Sequence, residues 1–340
     1  MTTGGVPRRR SSHPIAAIVT GALDRFRVQR RLPALAVDER LDGKVALVTG
    51  GASGLGFASS VDLARRGARV LVADCRELEH AHRRALSLGV AAGGIEPIHV
   101  DLSDLVSIDR LAVDLKRRGV RLDRLVLNAA IVPTEARTTP QGLDEMFVVN
   151  YLSSFALVTR LLDEGVLPQD RANGDVPRVI VVASEAHRWS DDLVLEGIDR
   201  PRDGSPGRVL GWYATYKLML ATFAWELARR FSAGGIPRIA VFALCPGAMR
   251  TNIIREVPAP LRAPLKGVMH LLFQDPFVAD EPVLYLSCSR ALEGRTALYL
   301  HKMAPKEVDA RVADAEVGQA LWERSGDVLS VARGRGRNVS

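Results

Sequence analysis

Between residues 44 and 247, short apolar runs rich in β-branched residues alternate with longer amphipathic stretches. The runs are "KVALVTG" (44–50), "RVLVADC" (69–75), "EPIHVDL" (96–102), "RLVLNAA" (124–130), "RVIVVAS" (178–184) and "RIAVFALCPG" (238–247). Helix-length segments such as "GFASSVDLARRG", "VSIDRLAVDLKRRG", "LDEMFVVNYLSSFALVTRLL" and "YATYKLMLATFAWELARRF" separate them. Strands that are apolar almost throughout and alternate with helices predict an α/β fold, a doubly wound parallel sheet with helices on both faces, in a single domain. Ligands of such sheets bind beyond the carboxyl ends of the strands, so the ends of the six runs are where chemistry is sought.

The first run ends in "TGGASGLG", which holds Thr49, Gly50, Ser53, Gly54, Leu55 and Gly56. Glycines there permit a tight turn and a close backbone approach, so the amides of the next helix can face a pyrophosphate. The spacing is GxxxGxG rather than the common GxGxxG fingerprint, and alone it is weak. The second run adds Asp74, 18 residues after Gly56, where a carboxylate can accept bonds from adenosine ribose hydroxyls and repel a 2′-phosphate. NAD is therefore favoured over NADP. Arg76 is the rival reader, since its guanidinium suits that phosphate.

The stretch "GWYATYKLML" (211–220) raises a different question, because it puts a lysine beside the apolar face of a helix. On a helical wheel Tyr213, Tyr216, Ala224, Leu227 and Phe231 fall within about 40° of Leu220, and Lys217 falls at about 60°. A lysine snorkelling from the edge of a core explains the pattern without chemistry. The catalytic reading makes Tyr213 a general acid or base tuned by the Lys217 ammonium. A free phenol titrates near 10, so service near neutrality needs about 4 kcal/mol, and one cation at about 4 Å supplies that at an effective dielectric of about 20.

These residues carry a resemblance. The TGxxxGxG turn at 49–56, Asp74, Asp101, "NAA" after the fourth run, Asn150 in "VVNY", Ser184, YxxxK at 213–217 and "PGAMRT" at 246–251 stand in the order seen in short-chain dehydrogenases/reductases. The chain resembles that family over about residues 41–330. "SEAHR", the 29 residues from Ser184 to Tyr213, "YKLMLATFAWELARR" and "ALWERSGDVL" are similar to its branch of retinol dehydrogenases, WW-domain oxidoreductases and protochlorophyllide reductases. The resemblance implies a Rossmann-type fold and a nicotinamide cofactor, with NADP commoner than NAD across the branch. It implies that Ser184 holds the substrate oxygen and Tyr213 exchanges the proton. Lys217 lowers the tyrosine pKa and binds the nicotinamide ribose, and Asn150 helps hold a relay water. Asp101 and Leu102 would flank the adenine, and Asn128 and Ala129 would line the cofactor, as would Pro246 and Gly247. Thr251 would contact the carboxamide.

Three positions depart from the pattern. Ala130 stands where a glycine is expected, Ala183 precedes Ser184 in place of a second serine, and Tyr216 replaces a small residue before the lysine and threatens to crowd the nicotinamide side. His187 fits the "SxAH" pattern and reads as a hydrogen-bonded structural histidine ahead of an acid/base. The substrate should be selected by segments 187–212 and 252–277. An amphipathic lid in the second suits a lipophilic alcohol or ketone, and a helix packed on its own domain explains it equally well.

Composition changes the picture little. A 340-residue chain that is 47% apolar and 25% charged is ordinary globular material. Its net charge of +7 lies in the ends: residues 1–43 hold eight arginines against four acids, residues 331–340 hold three arginines, and the stretch between is neutral. Solvated tails explain this better than a nucleic-acid groove. Three cysteines, with no CxxC and no metal-ligand spacing, fit a reduced, cytoplasmic protein. Residues 1–40 read as a basic extension with one short helix, 41–330 as the catalytic domain and 331–340 as a basic disordered tail. The apolar run 14–23 is far shorter than the roughly 20 residues of a membrane span. Residues 14–31 thus read as a packed amphipathic helix, or alternatively as a weak membrane-surface contact.

The expected function is an NAD(P)-dependent oxidoreductase acting on an alcohol/carbonyl pair, with Tyr213 as general acid/base. An NADPH-dependent carbonyl reductase and a non-catalytic dinucleotide-binding regulatory protein are the alternatives.

Overall fold

Residues of one strand that alternate in sequence part to opposite faces of the sheet, and this chain fills both faces with β-branched and leucine side chains. The computed structural model describes residues 31–169, 176–202, 206–233, 236–247 and 274–337. Its six expected strands are β1 (Val45–Thr49), β2 (Arg69–Asp74), β3 (Ile95–His99), β4 (Arg124–Leu127), β5 (Arg178–Val182) and β6 (Ala240–Cys245). Two more follow, β7 (Leu298–His301) and β8 (Ala304–Pro305). The sheet runs β8-β7-β6-β5-β4-β1-β2-β3, parallel except for the β7–β8 hairpin. The order reverses between β1 and β4, which opens a crevice at their carboxyl ends. Pro97 is tolerated because β3 is an edge strand.

The helices are α1 (Gly54–Arg65), α2 (Leu78–Ser87), α3 (Leu105–Arg117), α4 (Glu145–Asp163), α5 (Pro206–Arg230), α6 (Pro276–Ala279), α7 (Glu281–Cys288), α8 (Ala310–Ala313) and α9 (Ala315–Arg337). They bury two separate cores. Leu47, Leu125, Val179 and Val241 face Leu111 of α3, Phe155 of α4, Phe223 of α5 and Leu321 of α9. Val48, Val126, Ile180 and Phe242 face Phe57 of α1, Ala81 of α2 and Leu286 of α7. The alternation Leu47/Val48 thus sets which layer each side chain joins. At the amino edge of the sheet, buried Arg124 and Arg178 donate to the carbonyls of Ser287 (2.6 Å) and Leu286 (3.0 Å), satisfying the end of α7.

Two boundaries move. Residues 331–337 are not a disordered tail: α9 continues to Arg337, Ala332 is buried, and Arg333 reaches Asp109 at 2.5 Å. Leu321, Val328, Leu329 and Ala332 make one apolar stripe at helical spacing. The folded unit also begins before residue 41. Leu32 N–H bonds the Met303 carbonyl at 2.7 Å, Ala36 O accepts from Arg66, and Glu39 accepts from Arg290 N–H at 2.8 Å. These extended residues pair with backbone and charges of the domain, which an amphipathicity count does not detect. The expected short helix before residue 31, Thr251 and the selective segment from 252 to 273 lie outside the described residues.

Candidate active site

Each strand end contributes to the crevice, and hydrogen bonds between ends set its shape. The Thr49 hydroxyl accepts from Asn128 N–H at 3.0 Å, and the Asn128 amide donates to the Thr49 carbonyl at 3.0 Å and the Gly50 carbonyl at 3.3 Å. Asn128 therefore ties β1 to β4, and its neighbour Ala129 lies against Gly50. A Cβ on Gly50 would meet Ala129 Cα at 3.0 Å, at a φ of +62°. Gly56 is tighter still, since a Cβ there would lie 2.2 Å from the Gly50 carbonyl oxygen and 2.5 Å from Asn128 Nδ2. Gly56→Ala should therefore spread the turn, costing about 2 kcal/mol or more in stability and weakening dinucleotide binding about tenfold or more, read by thermal melting and NADH fluorescence. An unchanged NADH affinity would show that the turn is not the binding element.

Beyond Gly54, which has φ +54°, there is open space within 4 Å, and Ser53 begins α1 without using its side chain as a cap. The first turn of α1 carries no acid. A 12-residue helix of this kind presents free amides and a positive dipole end to an anion, so the turn fits a dinucleotide pyrophosphate. Buried Leu55 anchors it to the core.

Asp74, at the end of β2, is partly buried and already accepts three backbone bonds: from Ala52 N–H (3.2 Å), Cys75 N–H (2.8 Å) and Arg76 N–H (3.2 Å). It locks the glycine turn to β2 and keeps lone pairs for a ribose. Arg76 is exposed beside it. Asp101 accepts from Ser103 N–H (2.9 Å) and its hydroxyl (2.7 Å), a local turn that directs Leu102 into the partly buried layer. At the end of β6, Pro246 is buried and Gly247 adopts φ +85°, with the Lys302 side chain against it.

Ser184, Tyr213 and Lys217 meet at the ends of β5 and β6. Ser184 caps a 3-10 turn, Glu185–Arg188, its Oγ accepting from Ala186 N–H at 3.2 Å. The Tyr213 phenol, on α5, lies near enough to the Ser184 hydroxyl for that hydroxyl to favour its ionised form. One turn further along α5, Lys217 is only 2% exposed; its Nζ donates to the Val182 carbonyl at 2.9 Å and lies 5.8 Å from the Tyr213 ring centroid. Burial lowers the Lys217 pKa to about 8. Burial also pushes the Tyr213 phenol up to about 12, the neighbouring Cys245 adds to the rise, and the Ser184 hydroxyl opposes it. This corrects the sequence expectation. A cation 5.8 Å away offers about 3 kcal/mol at an effective dielectric of about 20, and the chain's own groups leave desolvation in control.

Asn150 is held by the wall of the crevice. It lies in a π-helical turn, Val148–Leu152, that interrupts α4. Its amide is committed to one residue after β4: Oδ1 accepts from Ile131 N–H at 2.7 Å and Nδ2 donates to the Ile131 carbonyl at 2.9 Å. The side chain therefore braces the crevice wall. An extra residue per turn, a frequent feature of functional sites, rotates it there. Ala130 is not among the positive-φ residues, so its methyl adds no backbone strain. Tyr216 does not crowd the crevice: it is fully buried and its Oη donates to Asp144 Oδ1 at 3.3 Å. His187 is structural, its Nδ1 lying 2.6 Å from the Ser184 carbonyl and its Nε2 accepting from Asp309 N–H at 3.4 Å.

Two groups at this centre escape a motif search. Cys245, a buried thiol at the end of β6, lies beside the backbone of Glu185 and Gly247 and sits close enough to Tyr213 and Lys217 to perturb both. Glu185 follows the serine and carries a network of its own. The only sequence signals were a cysteine immediately before "PG" and an acid inside "SEAHR".

Comparison with known proteins places this arrangement. A family model described as short chain dehydrogenase matches residues 44–190. The chain is 33% identical over 294 residues to dehydrogenase/reductase SDR family member 13 from Homo sapiens, covering 84% of this chain and 73% of that protein. The chain belongs to the short-chain dehydrogenase/reductase family. Another relative of this short-chain dehydrogenase/reductase is retinol dehydrogenase 14 from Mus musculus, 29% identical over 307 residues, covering 86% of this chain and 88% of the other. Among solved structures, an uncharacterised protein from Mycobacterium paratuberculosis superposes with a TM-score of 0.64 at 26% identity, covering 86% of this chain and 95% of that one. As a member of this family the chain is an oxidoreductase with an NAD(P)-binding Rossmann-type fold.

Proposed function

We propose that this short-chain dehydrogenase/reductase interconverts a lipophilic alcohol and its carbonyl compound, with NAD(H) as the preferred cofactor. The observation that carries the reading is the juxtaposition of the Ser184 hydroxyl and the Tyr213 phenol beside a buried Lys217, at the mouth of the dinucleotide crevice. Retinol dehydrogenase 14 is named for a lipophilic alcohol, which supports that substrate class.

The nicotinamide supplies the hydride acceptor and, when oxidised, a positive charge. The remaining work falls to side chains of this chain. Ser184 Oγ donates to the substrate oxygen, and Tyr213 Oη takes the alcohol proton or returns it to the carbonyl. Lys217 holds a positive charge next to the phenol and can reach a ribose hydroxyl. Donors fixed in advance around an oxygen that gains alkoxide character lower the barrier without reorganisation. Asn150 braces the wall behind them, and the Asp74 carboxylate reads the adenosine ribose.

Titrating the protein with NADH and NADPH by fluorescence tests the cofactor. NADH should bind more tightly, and Asp74→Ala should narrow the gap by about tenfold as ribose hydrogen bonds and repulsion of a 2′-phosphate are lost. Tighter NADPH binding would transfer the reading role to exposed Arg76 and favour a carbonyl reductase. Binding of neither would leave a non-catalytic fold. Long-chain primary alcohols and retinol, supplied in detergent with NAD, are the first substrates to assay.

A further inference from the structure

The residue after Ser184 is a carboxylate that the proton transfer does not use. Glu185 Oε1 accepts from Tyr299 Oη–H at 2.8 Å, and Oε2 accepts from Lys306 Nζ at 2.5 Å. His301 Nδ1 stands 3.5 Å from Oε1, and Arg188 Nε donates to Oε2 at 3.2 Å. Burial alone would raise this carboxyl, but the nearby His301 ring and the bonds from Lys306 and Tyr299 outweigh it and hold the group well below the usual carboxylate range. Glu185 is thus a fixed charge with at least three donors. Two of them, Tyr299 of β7 and Lys306 just after β8, come from more than a hundred positions later in the chain.

The same distant segment grips the turn twice more. Asp309 N–H reaches His187, whose other ring nitrogen holds the Ser184 carbonyl, and Arg311 donates to the Ser190 carbonyl at 2.7 Å. The Ser184 hydroxyl therefore takes its direction from a turn whose next residue is pinned through its side chain. Backbone rotation at 185 would carry Oγ away from Tyr213, and a misplacement of about 1 Å at a reacting centre can cost about 100-fold in rate.

We propose that Glu185 is a positioning residue, pinned by Tyr299 and Lys306 so that the turn aims the Ser184 hydroxyl at Tyr213. The inference rests on the role given to Ser184 above, and its test separates the two. Glu185→Ala and Tyr299→Phe are each made in the original chain and in a Ser184→Ala background, and kcat, KM and the melting temperature are measured. Glu185→Ala should lower kcat about 30-fold, with cofactor affinity unchanged within about twofold; in the Ser184→Ala background it should change kcat by less than about twofold. Tyr299→Phe, which keeps the carboxylate and deletes one donor, should repeat the pattern at about threefold and serves if Glu185→Ala does not fold. Equal losses in both backgrounds, or an unchanged kcat, would overturn the proposal and leave Glu185 a stabilising group only. If the original chain turns over no alcohol, the functional reading fails, and a crystal structure of Tyr299→Phe decides the positioning claim. Ser184 Oγ displaced from Tyr213 supports it, and an unmoved Oγ refutes it.

Discussion

Replacing Tyr213 with phenylalanine should lower turnover by about 10³-fold and leave NADH affinity within about twofold of its original value. The substitution keeps the ring, its place on α5 and its contact with Lys217. It removes one atom, the oxygen that meets Ser184. Stability should change little, because the Ser184 hydroxyl beside the phenol is only half-buried and can turn toward water. Steady-state kinetics with the best alcohol and an NADH titration together give the answer. Turnover within about threefold of the original would remove Tyr213 as the proton carrier, whatever the cofactor affinity.

Asp280→Asn should stabilise the protein, and the gain should grow with pH. Asp280 is wholly buried at the junction of α6 and α7, where its carboxyl bonds Ser59 of α1 and its second oxygen has no partner among the described residues. Burial raises its pKa to about 8, with the nearby Asp62 adding to the rise and the Ser59 bond opposing it. In the unfolded chain the same carboxyl loses its proton near pH 4. Between these values the folded state holds the extra proton, so stability falls as pH rises and the full penalty is present above about pH 8. Asparagine can accept the same serine bond and never ionises. The expected gain is on the order of 4 kcal/mol at pH 8 and near zero at pH 4, read from denaturant midpoints across that range. A gain independent of pH would mean that Asp280 is not the titrating group.

The sheet was legible because its central strands are buried on both faces, so Val179–Val182 and Ala240–Leu244 read as unbroken apolar runs. The glycine turn was legible because contacts at Gly50 and Gly56 exclude any side chain. Strands β7 and β8 were not, since four residues and two residues are too few for a periodicity and one of them is Pro305. The π-turn at Asn150 was hidden because Val148–Leu152 carries no proline or glycine to mark an interruption of the helix. Wheel geometry placed Lys217 at the edge of a face, yet it is buried with its Nζ on the Val182 carbonyl of β5, and burial of Tyr213 itself raises the phenol's pKa. Glu185 could not be valued from sequence, because Tyr299 and Lys306 become its neighbours only when β7 docks beside β6.

Helix α9 comes after everything it covers. Trp322 lies 5.0 Å from Phe155 and stacks on Phe223 at 5.9 Å, and Ser325 reaches buried Tyr151 at 2.6 Å. A ribosome must therefore finish some three hundred residues while α4 and α5 display these aromatic rings to water. The growing chain should engage a holding chaperone until the last helix emerges, and release should be the moment at which the enzyme first becomes resistant to protease.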